Sequence, residues 1–474
     1  MVTARGSKSV PAPKFKEGLD WVNTGGRSIR LAELRGRVVL LDFWTYGCIN
    51  CRHVQPRLRE LEDRFPDTLT VIGVHSGKFA HERRTPNLAA ACDRQDVGHA
   101  VVNDRQYRVW RAYGVSAWPT IALIAPDGAL LAVQPGEFAV ERVAQMIESA
   151  IADGQTRGTL VRGPEPTVVP QRRAEGDLRF PGRALIEGER LVVSDTGHGR
   201  VLDCTLRVGS AGMAVAEVVS EHAGFVEPQG LAVLGASLLV ADRAGQAVWR
   251  LGPNGDRERI LGTGTLGEGV PSGGNGPDLA VRSPWGLVFH GGDLVVTMAG
   301  SHQLWRLNVD DARAYPWVGS GAEELIDGSL SKAPLAQPTG VTVYGPGVAF
   351  ADCESSAIRL ADESAGVRTV VGRGLFAFGD HDGLGTEVRL QHAEDVAGHA
   401  GVLCVADTYN GRLKRIDPVT QESRPWKGQA GVAGSTSEPA GVSSDGRTLV
   451  VADTGNHRVV LVDDDGSLTE IRFA

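Results

Sequence analysis

The chain changes its hydrophobic rhythm about a third of the way along. Residues 38–44 (VVLLDFW) form a near-continuous apolar run, the pattern of a strand covered on both sheet faces. A helical period follows through Val54, Leu58, Leu61 and Phe65, and then a second buried strand at 69–74. A charged helical stretch at 86–95, a short strand at 99–102 and a helix at 106–113 come next. Pro126-Asp127-Gly128 is a turn signal that joins strand 121–124 to 129–133 as a hairpin, and 138–152 closes the region as a helix. This alternation predicts an α/β domain over residues 1–155.

Beyond residue 178 the helical period gives way to a repeat. An apolar strand ending in Ala-Asp or a close variant, a tight Gly/Asn turn and another strand return six times. The copies are centred on Asp195, Asp242, Met298, Asp352, Asp407 and Asp453, at spacings of 47, 56, 54, 55 and 46 residues. Four-stranded units at that period predict a six-bladed β-propeller over 179–474, because one blade cannot bury both its faces and a closed ring can. Between the two regions, Pro164, Pro166 and Pro170 in a stretch poor in apolar residues mark 156–178 as a linker, whose first part could add an edge strand. The expected fold class is therefore two-domain: α/β, then all-β propeller.

Composition sharpens this picture. Glycine accounts for 61 of 474 residues, nearly twice the usual share of about 7%, so many tight turns are implied. The net charge of −8 is uneven, +3 over 1–155 and −11 over the remainder. That balance argues against general nucleic-acid binding. No apolar run approaches the ~18 residues of a membrane span, and the amino terminus has no apolar core of a secretory signal. A cytoplasmic monomer without membrane or nucleic-acid partners is expected. Six cysteines in so long a chain do not make a disulfide framework, and Cys92, Cys204, Cys353 and Cys404 read as small core residues.

The remaining pair carries the chemistry. Cys48-Ile-Asn-Cys51 sits where a buried strand passes into a helix. A cysteine at a helix amino terminus faces unpaired N–H groups and the positive end of the helix dipole, which favour the thiolate. Cys48 is thus the expected exposed nucleophile, and Cys51, one turn deeper, can resolve the mixed disulfide it forms. Asp42, six residues upstream, could accept a proton from Cys51 beneath the pair. Trp118-Pro119 precedes a strand, where a cis bond would present a backbone edge to a substrate.

Asp42-Phe-Trp-Thr-Tyr-Gly-Cys-Ile-Asn-Cys51, with Trp118-Pro119-Thr120 downstream, resembles the thioredoxin superfamily, and Asp104-Arg-Gln-Tyr with Pro126-Asp-Gly128 resembles its TlpA-type branch. The resemblance implies Cys48 as nucleophile, Cys51 as resolving cysteine, Asp42 as acid/base and Pro119 as the cis-proline. It also implies Trp44 as packing beside the site, and Trp44, Trp118 and Thr120 are the expected substrate-binding positions. Gly47 stands where thioredoxins usually carry Trp, and Ile49-Asn50 replaces the usual Gly-Pro. The six repeats resemble NHL repeats, supported by Gln337-Pro-Thr-Gly340 and Glu438-Pro-Ala-Gly441. The combined order resembles the NHL-repeat-containing thioredoxin-domain family. It implies a thiol-disulfide oxidoreductase whose propeller binds a protein substrate or partner, with no cofactor and no metal.

Other readings of the same residues stay open. Zinc at Cys48 and Cys51 would gain only His53 as a third ligand. A peroxiredoxin-like use of Thr45 and Cys48 lacks the expected proline, since Leu41 occupies its place. The fold could be catalytically silent, a platform for a propeller that only binds. The blade aspartates read as turn acceptors. A third alternative is a hydrolase or lyase site in the propeller channel, using a metal near His198, His302 and His457.

Overall fold

The computed structural model describes residues 10–165, 168–169, 175–209, 213–426 and 436–474. The chain forms two compact units, Met1–Arg173 and Ala174–Ala474.

The first unit is a six-stranded sheet flanked by helices. Its elements in order are β1 (Asp20–Val22), β2 (Val38–Trp44), α1 (Ile49–Arg64), β3 (Leu69–His75) and α2 (Thr85–Arg94). They continue with β4 (Ala100–Asn103), α3 (Arg108–Ala112), β5 (Thr120–Ile124), β6 (Leu130–Pro135) and α4 (Val140–Thr156). The strand order is β1-β4-β3-β2-β5-β6, with β2, β3 and β4 parallel and β1, β5 and β6 antiparallel to their neighbours. Central β2 is buried along its whole length. Its side chains alternate, so Val39, Leu41 and Phe43 join the core with Trp110 and Tyr113 on one face. Val38 and Leu40 join Val54, Leu58, Leu61 and Ile147 on the other. Asp42 shares the parity of Val38 and Leu40 and so lies on the α1 side of the sheet.

Two features differ from the pattern reading. Strand β1 is only three residues long, and its partner supplies what its sequence lacks: it pairs Asp20 with Asn103 and Trp21 with Val102. Helix α4 runs to Thr156, beyond the expected end, because Ala150 and Gly154 are still buried. A Cβ on Gly154 would stand 2.9 Å from the Pro126 ring, so the absence of a side chain lets the last turn close on that proline. Residues after α4 continue along this unit, where the Val161 N–H donates to Gly36 O (2.8 Å) and the Gly163 N–H to Asp67 O (3.0 Å).

The second unit is an all-β propeller of six four-stranded blades, two of them with a short extra strand. The fourth blade is typical, with antiparallel strands Pro338–Tyr344, Gly347–Asp352, Ala357–Asp362 and Gly366–Val371. The ring closes at its edge, where Leu468–Phe473 of the last blade pairs in parallel with Ala214–Ala223 of the first. Inside, the Thr454 hydroxyl donates to Pro181 O (2.7 Å). A Cβ on Gly230 would collide with the Trp285 carbonyl of the next blade, which explains glycine after the innermost prolines.

The blade aspartates are buried and accept backbone N–H groups, but mainly from the incoming loop and less from their own turn. Each donor lies 16 residues upstream: Arg179 to Asp195 (2.7 Å), Val226 to Asp242 (3.0 Å), Ala336 to Asp352 (2.7 Å), Gln391 to Asp407 (2.8 Å) and Ser437 to Asp453 (2.6 Å). The blade with Met298 lacks the aspartate and keeps the neighbouring bond, the Ser283 N–H donating to Gln246 Oε1 of the preceding blade (2.7 Å), as the Gln337 and Phe180 N–H groups donate to His302 and His457 in blades that also have the aspartate. Histidines near these turns serve local bonds. His198 Nδ1 pairs with Asp195 (2.7 Å), while His302 and His457 Nδ1 accept the N–H groups of Gln337 and Phe180 (3.1 Å each). Among the described residues no group of three or more His, Cys, Asp or Glu side chains is arranged to hold a metal ion.

Candidate functional site

Helix α1 begins where β2 ends, and the turn between them delivers the cysteines. Cys48 is the N-cap, in extended conformation (φ −72°, ψ 119°), and its Sγ accepts the Cys51 N–H at 3.4 Å. That is the position at which a side-chain acceptor satisfies one of the orphan donors of a helix start. Cys48 is half-buried, less open than the sequence suggests, and Cys51 is fully buried; both are free thiols. Burial, with a hydrogen bond to Cys48, pushes the Cys51 thiol well above the ordinary thiol range. Cys51 therefore needs a proton acceptor before it can attack.

Asp42 is the candidate acceptor, a carboxylate whose charge acts on Cys51. It is fully buried, and desolvation raises it to about 7, against the opposing pulls of His99 and the Gln55 hydrogen bond. Gln55 Nε2 donates to Asp42 Oδ2 at 3.0 Å, while Oδ1 has no hydrogen-bond partner among the described residues. Gln55 escaped the sequence reading, although it stands four residues after Cys51 and thus on the same helix face.

The turn before Cys48 is held from a distance. Glu82, itself fully buried, accepts the Gly47 N–H on Oε1 (3.0 Å) and the Phe79 N–H on Oε2 (2.8 Å). His53 is buried on α1 and pairs with Glu137 (3.0 Å), so it binds the helix to the loop after β6.

The other side of the site is built on the 118–120 turn. The Trp118–Pro119 bond is cis, and the Pro119 carbonyl accepts the Gly136 N–H at 2.8 Å. Trp118 is part-exposed, packs against Trp110 with ring centroids 4.7 Å apart and planes tilted by 47°, and donates from Nε1 to Ser76 O (3.0 Å). Asp104 keeps Trp110 in place, because its carboxylate accepts the N–H groups of Arg108, Val109 and Trp110 at the start of α3 (2.7, 3.2 and 2.8 Å). Two of the expected substrate positions are buried. Trp44 is fully buried with its ring edge-on to His75 (5.3 Å), so it is floor and not contact surface. Thr120 is buried too, its hydroxyl committed to Ala117 O (2.7 Å). Of the three, Trp118 alone offers a face to solvent.

Fold and site together define a thioredoxin-like unit followed by a propeller. Comparison with known proteins agrees. A thioredoxin-like family profile matches residues 36–130 and the NHL-repeat profile matches 436–460. The chain is similar to Protein SUPPRESSOR OF QUENCHING 1, chloroplastic, of Arabidopsis thaliana, with 36% identity over 492 residues, 95% of this chain and 46% of that one. It is similar to NHL repeat-containing protein 2 of Bos taurus, with 32% identity over 511 residues, 95% of this chain and 70% of that one. Over 125 residues it is 30% identical to the thiol-disulfide oxidoreductase ResA of Geobacillus thermodenitrificans, 26% of this chain and 69% of that one. It thus spans less than half of the plant relative's length. The chain belongs to the family of NHL-repeat-containing proteins with a thioredoxin-like domain. Among the described residues no helix is long and apolar enough to cross a membrane.

Proposed function

We propose that the first unit is a dithiol–disulfide oxidoreductase and that the propeller binds the protein substrate or a partner that brings it. The observation that carries this reading is the Cys48 Sγ at the start of α1, accepting the Cys51 N–H above a buried Asp42. Cys48 attacks a substrate disulfide, forming a mixed disulfide and releasing one substrate thiolate. Cys51 gives its proton to Asp42 and attacks the Cys48 sulfur, breaking the mixed disulfide and expelling the second substrate thiolate, so that the pair is oxidised and the substrate reduced by two electrons. The Trp118–Pro119 edge, with the Trp118 ring beside it, receives the substrate chain. The name of the ResA relative, a thiol-disulfide oxidoreductase, supports the same chemistry. Free cysteines throughout the described chain fit a reducing compartment such as the cytoplasm, where the protein acts as a monomer.

Cys51→Ser removes the resolving thiol and tests the proposal. In lysate the variant accumulates a reductant-sensitive adduct through Cys48, and the Cys48→Ser/Cys51→Ser variant does not. Absence of any adduct, where a thioredoxin control gives one, favours the propeller-with-platform alternative.

A further inference from the structure

Asp42 has to lose the proton it takes from Cys51, yet it is fully buried and α1 covers it. One route leads away from it. In the sheet, Asp42 on β2 is paired with Gly73 on β3, and Gly73 with Val101 on β4. His99 immediately precedes β4, and its ring reaches to the space that a side chain at Gly73 would fill. A Cβ at Gly73 would lie 3.4 Å from His99 Nε2 and 2.9 Å from Trp44 Nε1. The side chain is 2% exposed, and neither ring nitrogen has a hydrogen-bond partner among the described residues. On the far side, Nδ1 stands 3.5 Å from Glu62 Oε1, whose carboxylate is 28% exposed.

Glu62 and His99 both open on a groove of about 690 Å³ beside α1, α2 and the segment after α4. Helix α1 contributes Arg59 and Asp63 to it, α2 contributes Cys92 and Asp93, and Asp96 and Glu165 follow from the adjoining loops. Asn23 fixes the backbone beneath, its side-chain amide donating to Val97 O (2.8 Å) and His99 O (2.9 Å). Along α1, Cys51, Gln55 and Glu62 lie on one face, so one helix spans the route from the thiol to the groove. A buried imidazole with no hydrogen bond among the described residues, set between a buried carboxylate and a solvent-facing one, is costly as mere packing.

We propose that His99, backed by Glu62, is the proton outlet of Asp42. This rests on the exchange reading above and adds a positioning residue to it. After Cys51 has attacked Cys48, the Asp42 carboxyl gives its proton to His99 Nε2, and the Nδ1 proton leaves through Glu62 to water in the groove. The imidazole is regenerated as its other tautomer and resets by exchange with water. No electrons move in this step.

A chromogenic aryl disulfide, dithiobis(nitrobenzoate), separates the stages in single turnover of the full reduced chain. The first arylthiolate is released when Cys48 attacks, and the second when Cys51 resolves. His99→Ala leaves the first release unchanged and slows the second about tenfold, below the 10²–10⁴ of a direct acid or base because it acts through Asp42. Added imidazole, entering from the groove, restores the second release in His99→Ala and does nothing for Asp42→Asn. Glu62→Gln slows the same stage with the thermal midpoint unchanged, which separates the outlet from a folding defect. A His99→Ala second release at the parent rate, or a slow one that imidazole does not rescue, overturns the outlet alone. A parent chain that releases no second arylthiolate overturns the exchange reading on which it rests.

Discussion

Gln55 holds one oxygen of Asp42 and leaves the other without a hydrogen-bond partner among the described residues, so the carboxyl beneath the cysteines is only half satisfied. Gln55 and Cys51 face it from α1, and His99 faces it from the start of β4. Folded, Asp42 titrates near 7; unfolded, near its ordinary 3.8. The folded state therefore binds the extra proton between those values, and stability falls as pH rises from about 4 to 7. Asp42→Asn escapes that loss while keeping an acceptor for Gln55. Urea unfolding across pH should show it more stable than the parent at pH 8 by about 4 kcal/mol, from roughly three pKa units at 1.36 kcal/mol each, with the gap closed near pH 4. A gap that widens on acidification contradicts the buried, uncompensated carboxyl.

Glu82 and Gly47 give a second test. Glu82→Ala removes the acceptor of both the Gly47 and Phe79 N–H groups, at a cost of about 1–3 kcal/mol for each buried donor left without one. With the turn loosened, Cys48 loses its fixed place at the helix start. Iodoacetamide alkylation of Cys48 should slow several-fold, and Glu82→Gln, which keeps an acceptor oxygen, should retain most of the rate. Equal alkylation in all three chains would show that the turn holds itself.

Met298 breaks the aspartate series, and restoring the repeat should harm the protein. Its side chain is buried in a core with Leu239, Leu294 and Trp305, and the incoming loop is tied to the preceding blade by Gln246 through the Ser283 N–H. Met298→Asp should destabilise by roughly 2–5 kcal/mol, the range for losing a buried methionine side chain, with charge burial added. Asp453→Ala should cost about 1–3 kcal/mol by stranding the Ser437 N–H. Thermal midpoints decide both, and an unchanged or raised midpoint for Met298→Asp would contradict the packing account.

A buried ion pair links blades that are not sequence neighbours. Arg183 of the first blade meets Asp395 of the fifth, whose Oδ2 also accepts the Val442 N–H of the sixth (2.7 Å). Burial lowers the guanidinium to about 10. Asp395→Ala should cost about 3–5 kcal/mol because it leaves that buried cation without its paired carboxylate, with the charge of Glu394 still acting on it, and Arg183→Met added to it should recover part of the loss. Additive losses in chemical denaturation would deny the coupling.

Much of this was legible in the chain, for identifiable reasons. The strand–Cys–helix order and the six repeats are local, so α/β fold, propeller and the Cys48, Cys51 and Asp42 grouping could be read directly. Motif position does not reveal depth: Trp44 and Thr120, expected as substrate contacts, both lie on strands buried from end to end. Glu82 and His99 carry no local signal. Each reaches the site through topology, Glu82 from 35 residues after Gly47 and His99 by way of the β3–β4 pairing. Gln55 was within reach of spacing alone, four residues from Cys51.

The central claim is that Cys48 and Cys51 form a working redox couple. Titration of the full chain against glutathione buffers, read by alkylation of free thiols, tests it most directly. The account predicts one reversible two-electron transition between roughly −270 and −120 mV, the span of thioredoxin-like dithiols, absent in Cys48→Ser. A pair that stays reduced across the whole range, or oxidises without returning, would contradict it.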